Sequence, residues 1–441
     1  MTAESPSPVP VSAAGPKFLT LRLSIMMFLQ WAMFGLWIPL AGAFILASVA
    51  DGGLGFNQSQ LGWIMGISGS IGALAAPFVA GQIADRYFST ERLMAVLLVL
   101  GGVLWWIMSN QQGFGGWLAL SILASVALAP TMALSNSLSF AQMSDPTRQF
   151  PIVRVWGTIG WIVAGWVFSW VYLQHDLVGR WMPPFLVGQE YPDVTSRMID
   201  SLKAGTIIAF IYAAYCLTLP NTPPKRGAHE KLAFRKALKL FQRRSFLVLM
   251  VAALLIACVH NIFFMQASPL LVRLGMPKPH IGPAMSVGQI AEILMVAGLG
   301  LLLKRLGMRT VLAIGGAGYF LRFLFLGSTW LPLWAIVASL GLHGVCFACF
   351  YAAAFIYVDR LADEDIRHSA QTLFGILIGA GPVLGGWLNG FLAALFTPEG
   401  GQLNYMKYWY TVAAIGGLAA IVLMVFFRDE TKEDLPSNAP S

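Results

Sequence analysis

Twelve apolar runs, each ended by a short polar break, occupy residues 18–48, 58–83, 92–109, 115–141, 150–174, 203–220, 246–271, 281–303, 309–327, 331–358, 369–396 and 407–427. A helix crosses a bilayer with roughly 17–25 predominantly apolar residues, so each run is a candidate span. The runs are continuous and lack the alternation of barrel strands. The longer ones imply tilted or kinked helices. Six runs precede and six follow the longest internal polar stretch. The pattern therefore predicts an all-α membrane protein with twelve transmembrane helices in two six-helix halves, residues 18–220 and 246–428, joined by a linker at 221–245. Residues 1–17, rich in Pro, Ser and Ala, read as a disordered tail without the basic segment of a signal peptide. Residues 429–441 read as a second tail.

Composition sharpens this picture. Hydrophobic residues fill 57% of the 441 positions and charged residues only 11%, against about 25% charged in soluble domains. In a soluble protein the formal net charge of +8 would suggest a nucleic-acid partner. Here the basic residues cluster in alternate loops, which argues against nucleic acid and sets an orientation in the lipid bilayer instead. Twenty of the 28 Lys and Arg share a side with both termini, six lie in the opposite loops, and Arg154 and Arg322 remain inside spans. Both termini are thus expected on the cytoplasmic side of an inner (plasma) membrane. The linker carries eight of the basic residues, and Lys231 to Arg244 is a candidate amphipathic helix on the inner leaflet. The outer loop from His175 to Ala204 contains Trp181-Met182-Pro183-Pro184-Phe185, which suits either a partial lid or a solvated insert.

Polar residues inside the spans carry the chemistry. Of 20 Asp and Glu, Glu292 alone sits mid-span. A charge at the bilayer centre costs about 2.5–3.5 kcal/mol on insertion scales, so it is kept for a reason. Two readings stand: Glu292 exchanges protons or meets a ligand, or it is held in a permanent ion pair with Arg154 or Arg322. Gln289 lies one turn earlier on the same face, and an amide beside a carboxyl suits a ligand with hydroxyls and ring donors. In span five, Arg154 and Thr158 share a face with Trp161 close by, a pattern that suits a site, although Arg154 alone would also suit a cation snorkelling to the inner surface. Span seven offers His260, Asn261, Phe264 and Gln266; a buried His is also at home as a helix–helix hydrogen bonder. The four cysteines, including the Cys346 and Cys349 pair, lie within apolar runs and read as small packing residues rather than metal or redox groups. No cofactor is implied. No metalloprotease, nucleophile-elbow or phosphate-loop motif is present, so enzymatic chemistry and ATP-driven pumping are not expected.

Two sets of motifs carry a resemblance. After span two the chain reads Gly81-Gln-Ile-Ala-Asp85-Arg86-Tyr-Phe-Ser-Thr-Glu91-Arg92, which is similar to the loop signature of the major facilitator superfamily. Its counterpart after span eight, Lys304-Arg-Leu-Gly307-Met-Arg309, keeps the basic residues without the acid. Asp85 and Arg86 are expected to pair across the inner face and act, with Arg322, in conformational gating. Span five reads Arg154-Val-Trp156-Gly157-Thr158-Ile-Gly160-Trp161, which resembles the Arg-x-Trp-Gly-Thr-x-Gly-aromatic signature of the nucleoside:proton symporter family within that superfamily. Further matches are Phe28-Leu-Gln30-Trp31, Pro130-Thr131, Thr218-Leu-Pro220, Gln289 with Glu292, Leu321-Arg322-Phe323 and Arg367-x-Ser369-Ala370-Gln371.

The resemblance implies a major facilitator fold and a monomeric carrier that imports nucleosides with protons by alternating access. It implies a cavity lined by Gln30, Arg154, Thr158, Trp161, His260, Asn261, Phe264, Gln289, Glu292, His343 and Phe347, with Glu292 coupling protons. One departure stands out. Where the family carries a Tyr-Gly-x-x-Phe-Asp-like segment in span ten, this chain reads His343-Gly344-Val-Cys346-Phe347-Ala348, so His343 replaces the tyrosine and Ala348 the acid. Glu292 then carries the proton alone or with His343. Two other functions are compatible with the residues: a sugar or oligosaccharide:proton symporter, and a membrane sensor that binds a metabolite without transporting it.

Overall fold

The computed structural model describes residues 16–78, 88–223, 238–362 and 367–430. Asp85, Arg86 and the first half of the candidate amphipathic linker helix (231–237) lie outside these residues. The first half contains α1 (Pro16–Leu46) and α2, which runs through Gln58–Gly62, a π-helical turn Trp63–Ile67 and Ser68–Phe78. It continues with α3 (Thr90–Met108), α4 (Phe114–Gln142), α5 (Pro146–Tyr172) and α6 (Asp200–Cys216). The second half begins with α7 (Arg244–Arg273). The stretch Ile281–Gly327 follows, broken at Gly307, whose φ of 74° and ψ of 164° end α8 (281–306) and start α9 (308–327). Then come α10, made of Leu333–Ser339, Leu342–Cys346, a π-helical turn Phe347–Ala352 and Ala353–Leu361, followed by α11 (Arg367–Phe396) and α12 (Tyr405–Phe426). Among the described residues, ten stretches are long and apolar enough to span a bilayer. One of these holds both α8 and α9, and α2, described to Phe78, brings the bundle to twelve.

Local signals explain several helix starts. Asn57 and Gln60 form a reciprocal capping box at α2 (2.9 Å for both bonds). Asp145 accepts from the Arg148 N–H, with Pro146 at the first helical position of α5. Asn404 caps α12 through the Lys407 N–H (3.1 Å). Outward faces stay apolar where water would demand polarity: Val96, Leu100 and Val103 project from α3 at helical spacing and are exposed, as lipid-facing residues should be.

One element departs from the all-α expectation. Strands β1 (Gln174–Gly179) and β2 (Leu186–Glu190) pair antiparallel in the loop between α5 and α6, with Val178 opposite Val187 and Gln174 opposite Glu190. Polar loop residues hid the short Leu-Val segments that pair. The Trp166 and Trp170 rings hold the hairpin: Trp170 Nε1 donates to the Pro184 carbonyl (3.1 Å) and Phe185 packs on Trp166 (centroids 5.7 Å). Trp181 at the tip is 95% exposed, so the segment read as a possible lid covers nothing at its tip. The hairpin base does bridge the halves. Glu190 Oε1 accepts from the Lys278 N–H (2.7 Å), and Lys278 Nζ donates to Thr195 Oγ1 (2.5 Å).

The other hydrogen bonds between the halves, among the described residues, run from this hairpin end to mid-bundle. The Ala43 N–H donates to Ser268 Oγ (3.2 Å), Trp166 Nε1 to Ser286 Oγ (2.6 Å), and the Val383 N–H to Ser70 Oγ (3.0 Å). A buried amide cluster is the strongest part of this seam. Gln266 donates to Gln58 Oε1 and to Asn389 Oδ1, Asn389 Nδ2 donates to the Gln58 carbonyl (2.7 Å), and the Tyr408 hydroxyl donates to Asn389 Oδ1 (2.6 Å). Backbones touch where side chains are absent: a Cβ on Gly62 would strike the Gly386 carbonyl, and one on Gly42 the Met265 carbonyl. Gly381, Gly385 and Gly386 of α11 therefore serve close packing, and the helix runs unbroken through them. The bundle is thus closed at the hairpin end.

Candidate functional site

A cavity of about 500 Å³ lies between the halves, within the range of small-ligand pockets. From the first half, α5 presents Arg154, Thr158 and Trp161, and α1 presents Trp31, Phe34 and Trp37. Two glycines allow this wall to form. A Cβ on Gly157 would come within 2.5 Å of Trp31 Cδ1 and 2.9 Å of Arg154 Nη1, and one on Gly160 would strike the Phe28 carbonyl. Without side chains there, α5 lies against α1, and the Arg154 guanidinium sits 4.6 Å from the Trp31 ring centroid. Arg154 therefore spends its charge on an aromatic face. Trp156, between them in sequence, points outward and is exposed. Trp31, Trp161 and Phe264 form an aromatic chain, each neighbouring pair 6.4 Å apart, that crosses from one half to the other.

The second half supplies the polar wall. His260, Asn261 and Phe264 come from α7, Gln289 and Glu292 from α8, and His343 and Phe347 from α10. Glycine again sets the spacing. A Cβ on Gly344 would collide with the Ala291 carbonyl and one on Gly288 would come within 2.9 Å of His343 Cβ, so α8 and α10 approach closely enough for His343 Nε2 to lie 3.5 Å from Glu292 Oε2. Glu292 is the one carboxylate among the described residues that line the cavity. Its nearest ionisable partner is this imidazole, and neither Arg154 nor Arg322 stands within 4 Å of it. The permanent ion pair considered from the sequence is not the arrangement present. Asn261 Oδ1 and Gln289 Oε1 are buried without hydrogen-bond partners. A buried acceptor left unpaired costs about 1–3 kcal/mol, so these two amides on the cavity wall are candidates to meet donors brought by a ligand or by water.

Three expected site residues sit elsewhere. Gln30 is fully buried outside the cavity and donates to Thr131 Oγ1 (3.1 Å), tying α1 to α4. Gln266 belongs to the amide cluster at the hairpin end and not to the cavity. Arg322, expected in gating, touches only second-half groups. Its guanidinium lies over the Phe263 ring (3.5 Å) and donates to His343 Nδ1 (3.0 Å). His260 does both jobs foreseen for it, lining the cavity while its Nδ1 pairs with the Tyr319 hydroxyl (2.7 Å). Ala348, at the position of the missing acid, is buried and does not line the cavity. Trp31 and Phe34 were not singled out as lining residues; their spacing of three on α1 was the available signal.

The profile of the nucleoside H+ symporter family matches residues 18–432. The chain belongs to that family. Among its relatives, "Putative nucleoside transporter YegT" of Escherichia coli is 30% identical over 94% of this chain and 95% of its own length. Nucleoside permease NupG of the same organism is 26% identical over 93% and 96%. A crystal structure of nucleoside transporter NupG superposes with a TM-score of 0.76 at 25% identity, covering 93% of this chain and 99% of that one. A D-xylose-proton symporter shares the fold alone, with a TM-score of 0.69 at 14% identity. This family member is therefore a multi-pass membrane transporter of the major facilitator fold and not an enzyme.

Proposed function

We propose that this chain imports nucleosides across an inner membrane, each driven by a proton that Glu292 carries. The observation that carries this reading is the second-half wall, where the one carboxylate among the described cavity residues stands beside two unpaired amide oxygens, of Asn261 and Gln289. Opposite it, Trp31 and Trp161 offer faces for a base, with Phe264 on the second-half side completing the aromatic chain, a contact worth about 1–3 kcal/mol per base. Amide oxygens accept from base or ribose donors, and Arg154 and Thr158 reach hydroxyls from the first half. The carrier works as a monomer, since one chain contains the whole cavity.

The distribution of loop charge supports both termini inside, which would make the closed hairpin end the external one. In the outward state Glu292 takes a proton, substrate enters, and the neutral pair tolerates the swing as the halves rock about the midplane. Release of both on the inside resets the carrier. The test is uptake of labelled uridine and adenosine into vesicles, with and without an inward proton gradient, for the parent and Glu292→Gln. Gradient-driven accumulation that disappears in the variant, while counterflow persists, is expected. Uphill uptake by Glu292→Gln would overturn the proton assignment. Competition by disaccharides but not by nucleosides would overturn the substrate.

A further inference from the structure

Behind Glu292 lies a chain of contacts that the transport cycle above does not use. Arg322 is 1% exposed, does not line the cavity, and finds no carboxylate within 4 Å among the described residues. Its guanidinium lies over the Phe263 ring and donates through Nη1 to His343 Nδ1. A guanidinium has five N–H donors and no acceptor, so in this bond His343 Nδ1 must be the acceptor. A neutral imidazole with Nδ1 as acceptor carries its hydrogen on Nε2. That is the nitrogen facing Glu292 Oε2.

We propose that Arg322 is a positioning residue that holds His343 in its Nε2–H form, so that the ring keeps a fixed N–H facing Glu292, 3.5 Å away, and is not a second proton carrier. The proposal rests on the assignment of the transported proton to Glu292. A second proton on His343 would have to enter at Nδ1, where it would face the Arg322 N–H groups donor to donor and cation to cation. It would also strip a fully buried guanidinium of its acceptor, and Arg322 Nε already has none. The other groups around the ring do not relieve that conflict. His260 from α7 stacks on it at 5.6 Å and 23°, Phe263, Phe264 and Phe347 present aromatic rings, and Arg154 lies across the cavity as a further cation. Among the described residues Glu292 is the one carboxyl within 4 Å of the ring, and it faces Nε2. The chain Arg322–His343–Glu292 thus places a permanent buried charge one imidazole away from the proton site.

The decisive measurement is ¹⁵N NMR of the full chain with labelled imidazoles, the His343 signal being the one of six histidines lost in His343→Gln. The expected result is a neutral Nε2–H ring that stays unchanged as pH falls from about 8 to 5, the interval in which an ordinary histidine changes charge. An imidazolium signal appearing for His343 within that interval would overturn the proposal in the parent protein itself. In Arg322→Met the ring should sample both tautomers, and Arg322→Lys, still a donor, should restore the single form. A separate transport assay distinguishes the two carriers. His343→Gln should reduce counterflow and gradient-driven uptake by the same factor, whereas Glu292→Gln should lose the driven component alone. Selective loss of the driven component in His343→Gln would make His343 a carrier and defeat the proposal. Retained uphill uptake in Glu292→Gln would instead defeat the underlying assignment, whatever the tautomer.

Discussion

The two walls of the cavity are built from different chemistry. The first-half wall is aromatic and apolar, with Arg154 laid on Trp31, and its polar groups are mostly hydroxyls such as Ser121, Ser125 and Thr158. The second-half wall concentrates the amides, both cavity histidines and the carboxylate. In the proposed cycle the two bundles divide the work: one half supplies shape and stacking, the other supplies hydrogen bonds and the proton. A ligand bridging them couples recognition to the motion that separates them.

Substitutions can break or sharpen this division. Glu292→Gln should have the largest effect, removing gradient-driven accumulation altogether while counterflow continues. If both vanish together, the second half supplies binding and not drive. Trp31→Ala should raise KM about tenfold, from the ~1–3 kcal/mol of a lost stacking contact, with gradient dependence unchanged in the same vesicles. A changed dependence would mean that drive is not confined to the second half. Asn389→Leu leaves the Tyr408 hydroxyl and the Gln58 carbonyl without this partner, while the Gln266 amide keeps Gln58 Oε1, at about 1–3 kcal/mol for each buried group that loses its bond. It should shift the population toward opening at the hairpin end, seen as a several-fold rise in labelling of a cysteine placed at Ala43 by an external thiol reagent. Unchanged labelling would show that the amide cluster does not hold that end. Gly157→Ala should have the smallest effect, a few-fold rise in KM, because its methyl displaces Trp31 and Arg154 without removing either.

Much of this was legible in the sequence because membrane helices declare themselves by apolar length, and the single mid-span acid by its cost. The face Arg154, Thr158 and Trp161 was readable from spacing alone. What periodicity does not reveal is which neighbour a face meets. Gln266 is two residues past Phe264, hence on nearly the opposite side of α7, and faces Gln58 and Asn389 instead of the cavity. Arg322 was read as a gating cation because a lone charge in a span has no partner in sequence; its partner, His343, lies on the next helix and was itself an unexplained substitution. The hairpin escaped notice because its strands are five and six residues long and broken by an irregular register between His175 and Val178.

The bridge from Glu190 and Thr195 to Lys278 has a practical consequence. The hairpin is fixed to one rigid body and Lys278 to the other, so the surface they share exists as a continuous epitope only while that end is shut. An antibody fragment that covers the hairpin base and the Lys278 turn together would recognise one state of the cycle and trap it. A fragment that grips the protruding Trp181 tip alone would ride along without interfering, and the pair would give a conformational reporter and its matched control.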